Sequence, residues 1–348
     1  MKLRKLLIIL ALVLATVLTA CAPQSQTLPP QEDDTAEVVP PQEDDAAETS
    51  GEEPYIDATP LVEVALVDDE AVALADAPLP ATSTILKPVA SGTKTQKNNQ
   101  ATIDYSNIAD GYVMVQCASP NNKRLKVQVA AATTYTYNLT ANQWTTFPLS
   151  DGNTKYKVTV FENTVDKKYA EVLSVSFDVA LKDEFAPFLR PNQYVNYENA
   201  ANTIKKAEEL TNGVTDPLKK VEKVYNFVVN NITYDRQKAA TVQSGYLPVL
   251  DTVLANKTGI CFDYAALMTG MLRSQGVPCK LVVGYAGQAY HAWVSVWTKE
   301  SGWIDGAIFF DGTTWHRMDP TFISSGKNSK DIQKYVGDGS NYTVKYLY

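Results

Sequence analysis

Cys261, His291, His316 and Asp319 are the side chains of this 348-residue chain whose types and spacing suit chemistry, and that chemistry is acyl transfer. A thiolate attacks a carbonyl carbon, an imidazole takes the thiol's proton and later returns it to the leaving amine, and a third polar group fixes the imidazole tautomer. Cys261, His291 and Asp319 provide one residue for each role. His291 and His316 are the chain's two histidines, which narrows the choice of base. His316 stands three residues before Asp319, and odd spacing along a strand sends side chains to opposite faces, so His316 is read as a bystander.

The elements around these residues must bring them together. Gly259 leads into Cys261 and a helix-periodic run in which Phe262, Ala265, Ala266, Leu267, Met271 and Leu272 form a broad apolar stripe, with Gly276 and Pro278 at its stop. The helix is expected to be buried, with Cys261 in its first turn. There, backbone N–H groups without intrahelical partners and the positive end of the helix dipole favour a thiolate. An inert core cysteine is the ordinary alternative, and the histidine and aspartate downstream argue against it. In Tyr290-His291-Ala292-Trp293-Val294-Ser295-Val296-Trp297, alternation puts His291, Trp293 and Ser295 on one strand face and Ala292, Val294 and Val296 on the other. This strand is expected to run beside the mouth of the cysteine helix, with the imidazole facing the thiol.

Further upstream, Asn199–Leu210 reads as a helix, and a stronger one starts at Asp216 as N-cap with Pro217 in the first helical position and Leu218, Val221, Val224, Tyr225 and Val228 at helical spacing. Leu250–Ala255 is a short helical segment. Beyond Pro278 the pattern returns to strands at 279–285, 290–298, 302–304, 307–310 and 314–318. Helices followed by a meandering sheet make an α+β domain, here residues 183–348. Before it, residues 87–182 carry short alternating runs rich in Val, Thr and Tyr at 111–117, 125–129, 133–139, 156–161 and 170–179, with turn residues at Pro120-Asn121-Asn122, Asn142 and Ser150–Asn153. That spacing predicts an immunoglobulin-like antiparallel β-sandwich, either a spacer or a ligand-contacting module. For Tyr135, Tyr137 and Trp144, cross-strand packing outweighs an exposed, ligand-contacting face.

Residues 1–20 contain Lys2, Arg4 and Lys5 before an apolar run from Leu6 to Leu18, the pattern of a signal peptide. Leu18-Thr19-Ala20-Cys21 then resembles a bacterial lipobox. The resemblance implies cleavage before Cys21, acylation of that residue and an extracytoplasmic protein anchored to the cell membrane, at the cell surface or in the periplasm. Residues 21–86 hold sixteen of the 39 acids and no lysine or arginine, so they form a self-repelling, disordered tether. Lys87–Tyr348 keeps 28 bases against 23 acids, a net of +5 beneath the chain's overall −8. No basic run with interleaved aromatics suggests nucleic acid. Cys117, Cys261 and Cys279 are an odd number without C-x-x-C spacing, which supports neither a disulfide framework nor a structural zinc site.

Taken together, Gly259-x-Cys261-x-Asp263-Tyr264-Ala265, Gly276-Val277-Pro278-Cys279-Lys280-Leu281-Val282-Val283-Gly284-Tyr285, His291-Ala292-Trp293-Val294, and Trp303 followed by Asp319-Pro320-Thr321-Phe322 resemble the transglutaminase-like superfamily of papain-fold cysteine enzymes. The resemblance covers about Asp216 to Phe322. It implies Cys261 as nucleophile, His291 as general base and acid, and Asp319 as the residue orienting the imidazole, working through a thioester on protein or cell-wall peptide amides without metal or organic cofactor. The Cys261 backbone N–H and Tyr234 are oxyanion candidates. Asp263 is placed to cap the helix or bind backbone near the site. No counterpart of the tryptophan that animal transglutaminases use near the cysteine is found, so hydrolysis and transamidation both stay open. A non-catalytic surface-binding module with the same fold is the other reading, and nothing specifies an oligomeric state.

Overall fold

Alternation decides the first half of the chain. In a computed structural model, which describes residues 85–299, 302–304, 308–310, 315–317 and 342–348, eight strands span the N-terminal region: β1 (Thr95–Lys97), β2 (Ala101–Asp104), β3 (Tyr112–Cys117), β4 (Leu125–Ala130), β5 (Thr134–Leu139), β6 (Thr145–Pro148), β7 (Lys155–Val165) and β8 (Lys168–Asp178). They form two antiparallel four-stranded sheets, ordered β1-β2-β3-β6 and β5-β4-β7-β8. Leu125, Val127 and Val129 are buried while Lys126 and Gln128 between them are half-exposed, the signature of a sheet with one packed face. Asn122, Asn142, Gly152 and Asp166 close connections with positive φ, a conformation their short or absent side chains tolerate. Tyr135 and Tyr137 are core residues, whereas Trp144 is 40% exposed.

The second half opens with α1 (Ala201–Thr211) and α2 (Pro217–Asn231). The Asp216 carboxylate accepts hydrogen bonds from the Leu218 and Lys219 amides and Pro217 occupies the first turn, so α2 starts where local chemistry places it. Then come β9 (Thr233–Tyr234), α3 (Arg236–Thr241), α4 (Leu250–Asn256), β10 (Thr258–Gly259) and α5 (Cys261–Ser274). β9 and β10 pair in parallel. All fourteen residues of α5 are buried, polar ones included. It packs against α1, α2, α4, β11 (Cys279–Ala286) and β12 (Ala289–Thr298). β13 (Gly302–Ile304), β14 (Ile308–Phe310), β15 (Trp315–Arg317) and β16 (Tyr342–Leu347) follow, with sheet order β13-β12-β11-β16 and a separate β14-β15 pair. This mixed helix and antiparallel-sheet domain behind a β-sandwich is the α+β architecture expected. The 1–20 signal segment, the 21–86 tether up to residue 84, Cys21 and Asp319 lie outside the described residues.

Two devices hold α5 in place. Arg273, 1% exposed, donates from Nε to the Cys279 carbonyl at 2.8 Å, from Nη1 to that of Arg190 at 2.7 Å and from Nη2 to that of Tyr348 at 2.6 Å. Burial lowers its pKa to about 10, so the guanidinium remains charged at neutral pH. The second device is aromatic. Tyr137 of β5 stacks on Tyr194 at 5.6 Å, Tyr194 meets Tyr348 at 4.5 Å and Phe262 of α5 at 5.6 Å, and Tyr135 meets Tyr346 of β16 at 5.7 Å. The sandwich face is thereby continuous with the core around α5, each ring pair contributing about 0.5–1.5 kcal/mol beyond its area.

Candidate active site

Cys261 is the first residue of α5, and the two residues before it are fixed from outside the helix. β9 lies alongside with Tyr234 opposite Gly259, and the Asp235 amide donates to the Gly259 carbonyl at 2.9 Å. Ile260, the N-cap residue, has no polar side chain for a cap. Its amide instead donates 2.9 Å to Oδ2 of Asp263, the third helical residue. Asp263 therefore caps the helix, one of the two roles expected of it. A Cβ at position 259 would sit 2.6 Å from the Asp263 Cβ, which is why glycine stands there.

The chain's path sets the level of Cys261 on the sheet. After α5 a four-residue turn through Gly276 (φ +76) sends β11 back alongside, and Cys279 Sγ lies 3.6 Å from Thr269 Oγ1. Eight helical residues from Thr269 to Cys261 span about 12 Å, and four strand residues from Cys279 to Val283 span about 13 Å. Cys261 is thus level with Val283 and Gly284, whose register partners on β12 are Ala292 and His291. Helix and strand run side by side, with Cys261 and His291 toward one end of the sheet.

Across the sheet the arrangement is less direct. Cys279, Leu281 and Val283, with partners Val296, Val294 and Ala292, belong to the core that α5 fills. Alternation sends His291, Trp293 and Ser295 the other way; the His291 ring lies 6.2 Å from Trp293 and 6.4 Å from Tyr342. β13 pairs with β12 at Val296–Thr298. Glycine at position 284 lets β16 come close to β11, since a Cβ would meet the Thr343 carbonyl oxygen at 2.0 Å and Trp293 at 2.9 Å.

Cys261 is 0% exposed and His291 5%. The three cysteines described are all unpaired and buried. Burial pushes the Cys117 thiol up to about 11 and the Cys279 thiol up to about 12. Tyr234 lies half-buried with its ring 6.4 Å from that of Tyr264, one strand away from the segment entering Cys261. His316 lies on β15 opposite Phe309. Asp319 is outside the described residues, so the expected face relation between the two rests on sequence spacing alone.

Sequence reasoning missed Lys238 and Tyr246. Lys238 Nζ lies 2.6 Å from Asp263 Oδ2 and 2.6 Å from the Tyr246 hydroxyl, which donates to Asp263 Oδ1 at 2.5 Å. Neither has a periodic or spacing signal; each is identified by a carboxylate 25 or 17 residues further on.

A cysteine opening a buried helix, on a sheet that offers a histidine at the same level, is the framework of thiol-dependent acyl transfer. Residues 204–320 match the model of the transglutaminase-like superfamily, and this part of the chain is a transglutaminase-like domain. The protein-glutamine gamma-glutamyltransferase of Pseudomonas aeruginosa is 29% identical over 107 residues, 26% of this chain and 14% of that protein. The uncharacterised protein YebA of Bacillus subtilis is 26% identical over 117 residues, 28% of this chain and 16% of that protein. The chain therefore spans about a seventh of the length of these curated relatives. Among solved structures, red sea bream transglutaminase aligns over 65% of this chain and 53% of its own at 12% identity, with a TM-score of 0.28.

Proposed function

We propose that the chain is an extracytoplasmic, lipid-anchored thiol enzyme that acts on carboxamide or peptide bonds of proteins or cell-wall peptides. The observation that carries this reading is Cys261 at the mouth of the fully buried α5, level with His291 on the strand that α5 packs against. In the proposed reaction the Cys261 sulfur attacks the carbonyl carbon as its proton passes to His291, and the carbonyl electron pair moves to oxygen. The amides of the first helical turn, which lack intrahelical partners, face the developing charge, with Tyr234 the side-chain candidate for a second donor. Collapse expels ammonia or an amine protonated by His291 and leaves a thioester. Water or a second amine then attacks it, releasing the thiol. Asp319 holds the imidazole orientation. Because Cys261 is covered, productive binding includes an opening of its surroundings.

Incubation with glutamine-containing peptides, with and without a primary amine, tests the reaction by ammonia release. No release from any amide donor, with intact binding of the same peptides, would favour a binding module. At neutral pH, iodoacetamide is expected to label Cys261 ahead of the other two thiols. With thiols at about 11 and about 12, Cys117 and Cys279 are ionised at about one part in 10⁴ or fewer. Mass-spectrometric mapping showing Cys117 or Cys279 labelled first contradicts the proposal.

For the anchor, Cys21→Ser is expected to release the protein from membranes and leave turnover unchanged, because an acidic tether has no affinity for anionic lipid. Continued co-sedimentation of that variant with membranes refutes lipid anchoring at Cys21.

A further inference from the structure

The segment between β9 and α4 contributes a charged group and a phenol to the first turn of α5, and what they touch is the residue that fixes the cysteine. Asp263 is 0% exposed and uses both carboxylate oxygens: Oδ2 takes the Ile260 amide and the Lys238 ammonium, and Oδ1 takes the Tyr246 hydroxyl. Lys238 is itself held by its backbone amide, which donates to Asp235 Oδ1 at 2.8 Å, and its ammonium lies 4.2 Å from the Tyr246 ring centre. Tyr246 has a second grip, since its ring lies 6.4 Å from Phe262, edge to face. It thus contacts both residues that follow the nucleophile. Burial and the neighbouring Asp263 charge raise the pKa of the phenol, so its proton stays in place and the hydroxyl donates.

We infer that Lys238 and Tyr246 are positioning residues that lock Asp263 and, through the Ile260 amide, set the backbone of the turn that presents Cys261. The inference rests on the reading of Cys261 as a nucleophile only for its effect on turnover; the locked turn itself is a property of the fold. A buried carboxylate stripped of one partner loses a charge-assisted hydrogen bond and swings or draws in water. The Ile260–Asp263 turn then loosens while the rest of α5, held by Arg273 and the aromatic core, stays. A turn displaced by a fraction of an ångström spoils the approach of sulfur to carbonyl and the aim of the first-turn amides without altering the substrate's other contacts.

The test compares Tyr246→Phe, Lys238→Met and Lys238→Arg in the full chain, with three readouts: hydrogen exchange of the Ile260 amide, the iodoacetamide rate at Cys261 at neutral pH, and kcat and KM for amide hydrolysis. Tyr246→Phe and Lys238→Met are expected to exchange the Ile260 amide at least tenfold faster, to change the Cys261 alkylation rate, and to lower kcat tenfold or more with KM within twofold. Lys238→Arg should restore most of each. A folded Lys238→Met and Tyr246→Phe pair with exchange, alkylation and kcat at wild-type values overturns the inference. A wild-type protein without turnover, whose variants still show the faster Ile260 exchange, sinks the proposed enzyme and leaves the positioning role standing. If Lys238→Met does not fold, Tyr246→Phe, which removes a single oxygen, decides the matter by the same exchange measurement.

Discussion

Cys261→Ala is expected to fold almost as well as the parent and to lose all amide turnover. The side chain is fully buried at the start of α5, so exchanging thiol for hydrogen leaves a small void, a loss of about 1 kcal/mol at most on the scale of cavity costs. The cap is untouched, because Asp263 accepts from the Ile260 backbone amide and never uses the cysteine side chain. Loss of a nucleophile acting with its base lowers a rate by about 10⁶. Thermal unfolding and ammonia release measured on the same preparation check both halves. Turnover at the parental rate in Cys261→Ala would remove the nucleophile from the proposal.

His291→Ala is expected to be as severe as loss of the cysteine, whereas His316→Ala should change turnover less than about tenfold, under about 1.4 kcal/mol of barrier. The two histidines give a clean contrast because their elements differ. His291 is 5% exposed on the strand packed against α5, level with Cys261, while His316 sits on the short β14-β15 pair. Without an imidazole there is no group to take the Cys261 proton or protonate the leaving amine, so acylation stalls even where the peptide binds. Alkylation of Cys261 at neutral pH should slow in His291→Ala and stay near the parental rate in His316→Ala. The reverse pattern would transfer the role of base to His316 and undo the proposed triad.

Where an element is encoded by its own residues, it is legible in the sequence. Asp216 and Pro217 define the start of α2, and Leu125, Val127 and Val129 define the packed face of β4. The apolar stripe of the helix that begins with Cys261 belongs to this class as well, as does the His291–Trp293–Ser295 face of β12. Each depends on interactions within a few residues, where side-chain type and spacing act directly on the backbone.

Elements stabilised by distant partners escaped. β16 pairs with β11 across some sixty residues of chain, and β1, β2 and β6 are short strands whose hydrogen bonds come from neighbours in the sheet. What makes them strands is their pairing with segments elsewhere in the sheet.

The sequence by itself determined which residues could act as nucleophile and base, and the kind of helix and strand that carry them, because helical and strand periods are written locally. Only the tertiary structure decided what surrounds the turn before Cys261: Lys238, Tyr246 and Asp263 converge from separate segments, and a hydrogen bond between residues 25 apart leaves no mark on either segment's pattern. The same holds for Arg273, a basic residue in a last helical turn that would suit solvent equally well. Its burial follows from three backbone carbonyls supplied by β11, the Arg190 segment and Tyr348, groups every residue possesses and whose meeting point is set by the packing of the whole domain.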